Sequence, residues 1–488
     1  MRNKTIFLLI VVIAVFMSVP IWSEEQDTKE ELWTLQKELN LLGPRFTGNE
    51  AHQKFINLIK SELDKYSIDY KEDVYKFNRW EAQDYSLKVD EINIPVSFYY
   101  PYSGITSAEG VTAPLIFCKS SSDFRKAKGK IVVVKAGVKA LPTGLLFKIR
   151  NTKPGVERLP TRIKNPVVAS VLNGHLLKKA KKSGALGAVL IWEGISADNA
   201  KGQYLPFTSG YKDFPVLWVD SKNGERLLSS AEKDASATLT LNARLELSET
   251  STIYAVIPGK SKTETVIVNT HTDGTNAVEE NGAIALIALA KAMSIKDEKP
   301  ERTTVFVFAT GHFQLPQFGI DEQQATSRWL NDHPEFWDGK DGHAKAVAGL
   351  TIEHLGCMEW KDEKNNNNYK ATGKIDFELV YTANKEMNQI YLDAIKDRKM
   401  LRTITLRPRN SLYFGEGQPL FQRDIPTISL VPAPDYLCKV SENGEIDKIN
   451  STLLYEQYQT FVKILDKIDS LPSKEFGSVQ KQSIGLFY

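Results

Sequence analysis

Apolar positions change their period along the chain, and the changes divide it. Over residues 24–70 they recur every three or four positions: Leu32, Leu35, Leu39 and Leu42, then Phe55, Ile56, Ile59, Leu63 and Tyr66. That spacing predicts two amphipathic helices, separated by a Gly-Pro break at 43–48. Residues 68–77 read as a strand. Past Leu87 the texture shifts to short β-type runs at 96–100, 113–117, 130–134, 185–191 and 214–219, with helices at 175–183 and 223–233 and an alternating edge or hairpin strand at 237–247. Residues 137–163, rich in Lys, Arg, Pro and Gly, have no period and predict a long exposed loop or insertion. From Thr252 strands and helices alternate: strands at 253–257, 266–269, 303–309, 346–352, 377–381 and 427–431, helices from Ala283 and at 325–331, 386–396 and 451–471. Such alternation predicts an α/β fold with a mainly parallel sheet sandwiched by helices.

The 488 residues exceed one typical core, so the changes of period are read as domain limits. Residues 24–86 and 250–488 form a discontinuous α/β body, and 87–249 an inserted β-rich domain. Hydrophobic content of 42% and charged content of 25% describe a globular chain, and a net charge of +2 gives no electrostatic footprint for nucleic acid. The first 23 residues stand apart. Arg2 and Lys4 precede an apolar run at 6–17, followed by Ser18, Pro20 and Ser23. This predicts a signal peptide over 1–23 and export to a periplasmic or extracellular location, with an uncleaved anchor as the alternative. No span is expected in the mature chain. Cys118, Cys357 and Cys438 make neither a disulfide framework nor a zinc–cysteine motif.

One stretch carries candidate chemistry. A short strand ends in His271-Thr272-Asp273-Gly274, a polar loop supplies Glu279, Glu280, Asn281 and Gly282, and an Ala/Ile/Leu helix follows. A His and three carboxylates therefore stand on a strand–loop–helix turn, and in open α/β sheets ligands bind at the carboxyl ends of strands. Imidazole with carboxylates suits zinc and similar divalent ions. The plainer alternative is acidic residues at a helix N-terminus and ordinary turn chemistry at Asp273-Gly274.

Several motifs resemble a known family. Leu41-Leu42-Gly43-Pro44-Arg45-Phe46-Thr47-Gly48, the strand pair leading to Asp273, and the stretches 302–313, 350–356 and 425–426 are similar to the zinc aminopeptidase (M28-like) family, whose relatives include glutamate carboxypeptidases, transferrin-receptor ectodomains and glutaminyl cyclases. The stretches 184–191 and 214–216 resemble a protease-associated (PA) domain inserted into it. The family implies five ligands for two metals and a Glu base. Carried over, His271 matches the first ligand, Asp273 the acid that orients it, and Glu353 a second carboxylate ligand. Strict spacing puts Val278 at the bridging Asp, so Glu280 or Glu279 has to substitute. Glu280 is assigned to the metal and Glu279 to catalysis, with the reverse left open.

The other half of the pattern is missing. His312 and Phe313 stand where the family has two consecutive Glu, and no His falls near Asp435. Glu416-Gly417-Gln418 replaces an Asp-His pair. The resemblance therefore implies one zinc ion on His271, Glu280 and Glu353, with His312 as the base. Next to Glu353, His354 is expected on the opposite face of a strand in a structural role, and Glu416 is a candidate substrate contact. The function implied is an exported metallohydrolase acting on a peptide or small amide substrate. The alternatives are a catalytically inactive binding protein on a peptidase fold, or a single-metal acyltransferase of cyclase type.

Overall fold

The computed structural model describes residues 20–151, 157–319, 324–363, 368–409, 412–441 and 445–481. Most of the expected signal peptide lies outside them. Among the described residues no helix is long and apolar enough to cross a membrane. In chain order the principal strands are β1 (Tyr70–Val89), β2 (Phe98–Tyr99), β3 (Val111–Phe117), β4 (Ile131–Gly137), β5 (Lys148–Asn151), β6 (Gly187–Glu193), β7 (Val216–Val219), β8 (Ser236–Ile257), β9 (Ser261–His271), β10 (Arg302–Ala309), β11 (Lys345–Ile352), β12 (Met358–Asp362), β13 (Tyr369–Ile375), β14 (Glu378–Thr382), β15 (Thr403–Arg407) and β16 (Thr427–Leu430). The principal helices are α1 (Pro20–Leu41), α2 (Glu50–Lys65), α3 (Pro166–Lys182), α4 (Ser221–Ala231), α5 (Gly282–Ser294), α6 (Thr326–Asp332), α7 (Lys385–Ala394), α8 (Gly417–Gln422) and α9 (Ser451–Ser470).

The body is built on β10-β9-β11-β16, four parallel neighbours, with β14 and β15 parallel to each other and antiparallel to that block. β9 and β10 are apolar and buried over 266–268 and 305–309, as strands covered on both faces must be. One cover is α5, buried continuously from Gly282 to Ala290. Each large aliphatic side chain fully buried there contributes about 1.5–3 kcal/mol. Helices α1, α2 and α9 pack around α5, with α1 and α2 presenting the apolar faces that their spacing predicts. The chain passes from β9 to β10 on one side and then to β11 on the other, so the order reverses about β9. A crevice opens outside the carboxyl ends of strands at such a reversal.

Residues 98–219 supply a further row of the same continuous sheet, β2-β7-β6-β4-β3, parallel from β7 to β3. It joins the body through β8. One end of β8 pairs with β3 and the other with β10, while β1 runs antiparallel along it. The two strands read from the sequence at 237–247 and 253–257 are thus one strand of 22 residues. Its middle is polar because it lies in a ribbon with β1 that solvent reaches, and this broke the apolar pattern.

Residues 137–163 correct the sequence reading more sharply. The expected exposed loop returns to the body, where β5 adds to the edge of the sheet beside β15. Leu146 and Phe147 bury against Phe377, Leu379 and Tyr381. A four-residue strand whose partner lies far along the chain leaves no local period to read.

Candidate metal centre

The ends of β9, β10 and β11 bring three histidines and two glutamates together. His271 is the last residue of β9 and is fully buried. Its Nδ1 lies 2.9 Å from the backbone carbonyl of Asp273. A carbonyl only accepts, so Nδ1 carries the proton and Nε2 holds a lone pair, for which the fold provides no partner. His354 repeats the arrangement. Its Nδ1 donates to the carbonyl of Pro432 at 2.6 Å, and its Nε2 has no partner. That Nε2 stands 3.8 Å from Glu279 Oε2 and 4.0 Å from Glu353 Oε2. Glu353 Oε1 accepts the Glu416 backbone N–H at 2.7 Å, and Glu279 Oε2 is buried without a donor. The candidate ligand atoms of His271, Glu353 and His354 lie within 4.8 Å of one another, as do those of His271, Glu279 and His312.

His354 was expected to face away from Glu353. The strand ends at Ile352, and His354 has φ +56°, in the left-handed region. That turn cancels the alternation of a strand and swings the ring into the site.

Burial sets the charges. It drives the His271 imidazole well below its ordinary pKa, with His312 and His354 adding to the effect, and brings His354 down to about 3. Both rings are therefore neutral, which is the ligating form. Burial also drives the Glu279 carboxyl well above its usual range and Glu353 up to about 8, the latter with help from the charge of Glu416. Carboxylates so placed ionise readily only beside a cation. Two partnerless Nε2 atoms and two buried carboxylates, whose neighbouring positive charge on His312 is already paired with Glu416, fit a single divalent ion such as zinc.

His312 differs. Its Nδ1 contacts Glu416 Oε1 at 2.6 Å, and its ring stacks on His271 with centroids 4.2 Å apart. Burial pulls its pKa down, but the hydrogen bond and charge of Glu416 outweigh that and raise it to about 9. Glu416 also accepts the backbone N–H groups of Ala325 at 3.1 Å and Thr326 at 2.7 Å, and is completely buried. It is therefore an internal partner of His312, not the substrate contact expected.

Two further expectations are corrected. Glu280, expected as a ligand, points away from the histidines and ion-pairs with the buried Nε of Arg45. Arg45 also donates to the carbonyls of Leu39 at 3.1 Å, Gly43 and Asn276, and exchanges backbone hydrogen bonds with Gly274. Gly274 is needed there, since a Cβ would stand 1.8 Å from Glu280 Oε2. Glu279 instead faces the histidines, its carboxylate oxygen within 4.8 Å of candidate ligand atoms of His271 and His312. Two like residues in succession point to opposite sides of the loop, and only the fold decides which faces the histidines. Asp273 was expected to orient His271 through its side chain. That carboxylate instead accepts from Thr47 Oγ1 at 2.5 Å, Phe313 N at 2.8 Å and His312 N at 3.2 Å. It fixes the turn after β10, while its backbone carbonyl orients His271.

Phe313 is fully buried against Phe46, Tyr204 and Phe207. An aromatic cluster thus occupies the place where the resemblance implies a carboxylate for a second metal. Among the residues whose part the sequence did not give, Arg45 stood in a noted motif without a role, and the Pro432 carbonyl carried no signal.

Glu279, His312, Glu353 and His354 line a cavity of about 800 Å³. Its walls include Phe207, Phe377 and Phe414, together with Leu146, Phe147 and Ile163 from the segment expected to be an exposed loop.

Solved zinc aminopeptidases share this fold. The chain superposes on a zinc aminopeptidase from Bacillus subtilis with a TM-score of 0.62 at 16% identity, covering 92% of this chain and 97% of that one. The aminopeptidase from Aneurinibacillus gives 0.61 at 13% identity, covering 94% and 96%. A peptidase M28 precursor from Shewanella amazonensis gives 0.61 at 15%, covering 91% and 96%. No protein-family model and no curated protein matches the sequence. At such identities the likeness establishes the fold, and the chemistry has to be argued from the site.

Proposed function

We propose that the protein is an exported metallohydrolase that cleaves a peptide or small amide bond, with one zinc ion held by His271, His354, Glu279 and Glu353. The carrying observation is the matched pair of histidines. Each spends Nδ1 on a backbone carbonyl and keeps Nε2 without a partner, close to two buried carboxylates whose nearby cation, His312, is already paired with Glu416. Packing alone gives no reason to bury that set. Bound zinc supplies Lewis acidity toward an amide carbonyl.

The other roles follow from the geometry. With Nδ1 committed to Glu416, His312 has Nε2 as its free nitrogen and lines the cavity. It moves the proton of the reaction at that atom. Glu416 keeps its ring protonated and in place, and Asp273 holds its backbone. Phe207, whose ring centroid is 5.2 Å from that of His312, keeps water from one side. The PA-like module over 87–249 closes the cleft with Leu146, Phe147 and Ile163, and the leader over 1–23 directs export. Phe313 favours one ion over two, because it puts an apolar ring where a second ion needs a carboxylate.

Metal analysis of the purified full chain after zinc loading tests the centre. About one zinc per chain is expected, lost in His271→Ala and His354→Ala. No zinc, even in excess, would favour the catalytically inactive binding protein. Zinc uptake with intramolecular acyl transfer and no hydrolysis, across aminoacyl and acyl amides, would favour the cyclase-type alternative.

A further inference from the structure

Another buried carboxylate on the cleft wall makes no direct ion pair among the described residues. Asp376 joins β13 to β14 and lines the same cavity, with its side chain nearly all buried. Its N–H donates to the carbonyl of Cys357 at 2.8 Å, and Cys357 Sγ donates to the carbonyl of His354 at 3.0 Å. Asp376 is therefore tied to the turn that carries a candidate metal ligand. Its Oδ1 accepts from Phe377 N at 2.6 Å, while Oδ2 is buried with no hydrogen-bond partner.

The nearby cations are already engaged. Lys361 pairs with Asp435 at 2.8 Å, and Arg402 pairs with Glu359 at 2.8 Å. Asp362 adds a further negative charge, which holds Ser196 N and Asn199 Nδ2. Lys361 and Arg402, the latter also paired with Glu157 at 3.0 Å, are thus shared among several carboxylates, and Asp376 keeps a buried oxygen without a donor. Burial pushes its carboxyl up to about 6, with Lys361 pulling the other way. A buried carboxylate oxygen without a donor is costly to keep unless something from outside supplies one. Phe377 and Leu379 beside it give an apolar surface for the rest of a ligand.

We propose that Asp376 is a specificity residue that receives a cationic nitrogen, so that the substrates of this cleft carry an ammonium or guanidinium group on an apolar stem. The inference rests on the preceding reading for the identity of the cleft, and its test is separable from it. The probes are hexylguanidinium and hexylurea, which have nearly the same shape but differ in charge. Guanidinium is a poor metal ligand, so binding does not report on zinc.

Calorimetric titration of the full chain, chelated and zinc-loaded, is expected to show hexylguanidinium binding about tenfold or more tighter than hexylurea. Asp376→Asn should remove that preference and leave hexylurea affinity unchanged. Asp376→Ser serves as a second variant should the first fail to fold. Equal affinities in the wild type, or a preference that survives in a folded variant, would overturn the assignment. Failure of the chain to take up zinc while the preference persists would sink the hydrolase reading and leave the cation subsite standing.

Discussion

Glu279 and Glu280 are adjacent, alike and equally buried, yet the fold gives them opposite parts. Their conservative variants should therefore fail in opposite ways. In Glu280→Gln the Arg45 guanidinium, which burial lowers to about 9 but leaves charged at neutral pH, loses its counter-charge in a fully buried site. Breaking one side of a buried pair costs about 3–5 kcal/mol. The amide still accepts one hydrogen bond, which places the expected loss near the lower end. Zinc affinity should hardly change, because Glu280 is not among the grouped ligand atoms.

In Glu279→Gln the metal-free protein exchanges a carboxyl whose neutral form burial already favours for a neutral amide. Stability in chelator should move by less than about 1 kcal/mol. Zinc binding should weaken about a hundredfold, the upper end of the loss typical of residues that support a ligand. At free zinc of a hundred times the wild-type Kd, the wild type gains about 2.7 kcal/mol and the variant only about 0.4 kcal/mol. Urea unfolding followed by circular dichroism, in chelator and in buffered zinc, gives all four numbers. Equal loss of zinc-dependent stabilisation in both variants, with no loss for Glu280→Gln in chelator, would refute the argument.

Two other residues give independent readings. His52 is fully buried, and its Nδ1 accepts the Gly48 N–H at 3.1 Å, so it folds as the neutral ring. Burial holds it down to about 4, opposed by the charge of Asp273, against 6.5 when unfolded. The unfolded chain therefore binds the extra proton, and stability present above pH 6.5 is lost as pH falls toward 4, by about 3 kcal/mol. Urea midpoints across that window should fall more steeply for the wild type than for His52→Gln, and parallel slopes would exclude His52 as the source. Gly415 has φ +83°, and a Cβ there would stand 2.6 Å from Glu353 Oε2 and 2.9 Å from Val431. Gly415→Ala should cost about 1–2 kcal/mol in backbone strain and weaken zinc binding about tenfold or more in competition with a chromophoric chelator. An unchanged zinc affinity would mean that Glu353 is not a ligand.

The sequence by itself determined the parts of this protein whose cause is local. Leu32, Leu35 and Leu39 repeat with the period of a helix and bury as one face. The apolar runs ending at His271, Ala309 and Ile352 are long enough and flanked clearly enough to be read as buried strands. With the resemblance added, His271 and Glu353 could be placed at the carboxyl ends of β9 and β11, where the fold opens its crevice. Tertiary structure decided what depends on direction and on distant partners. Neither propensity nor spacing tells Glu279 from Glu280; Arg45, some 235 residues away, does so by drawing one of them off. His354 enters the site through a single left-handed backbone angle, which leaves no mark in hydrophobic period. The pairing of β5 with β15, the capture of His312 by Glu416 and the partnerless oxygen of Asp376 likewise arise where segments far apart in the chain share a low-dielectric interior. There the cost of an unmet charge or lone pair, and not the local pattern, fixes which side chain stands where.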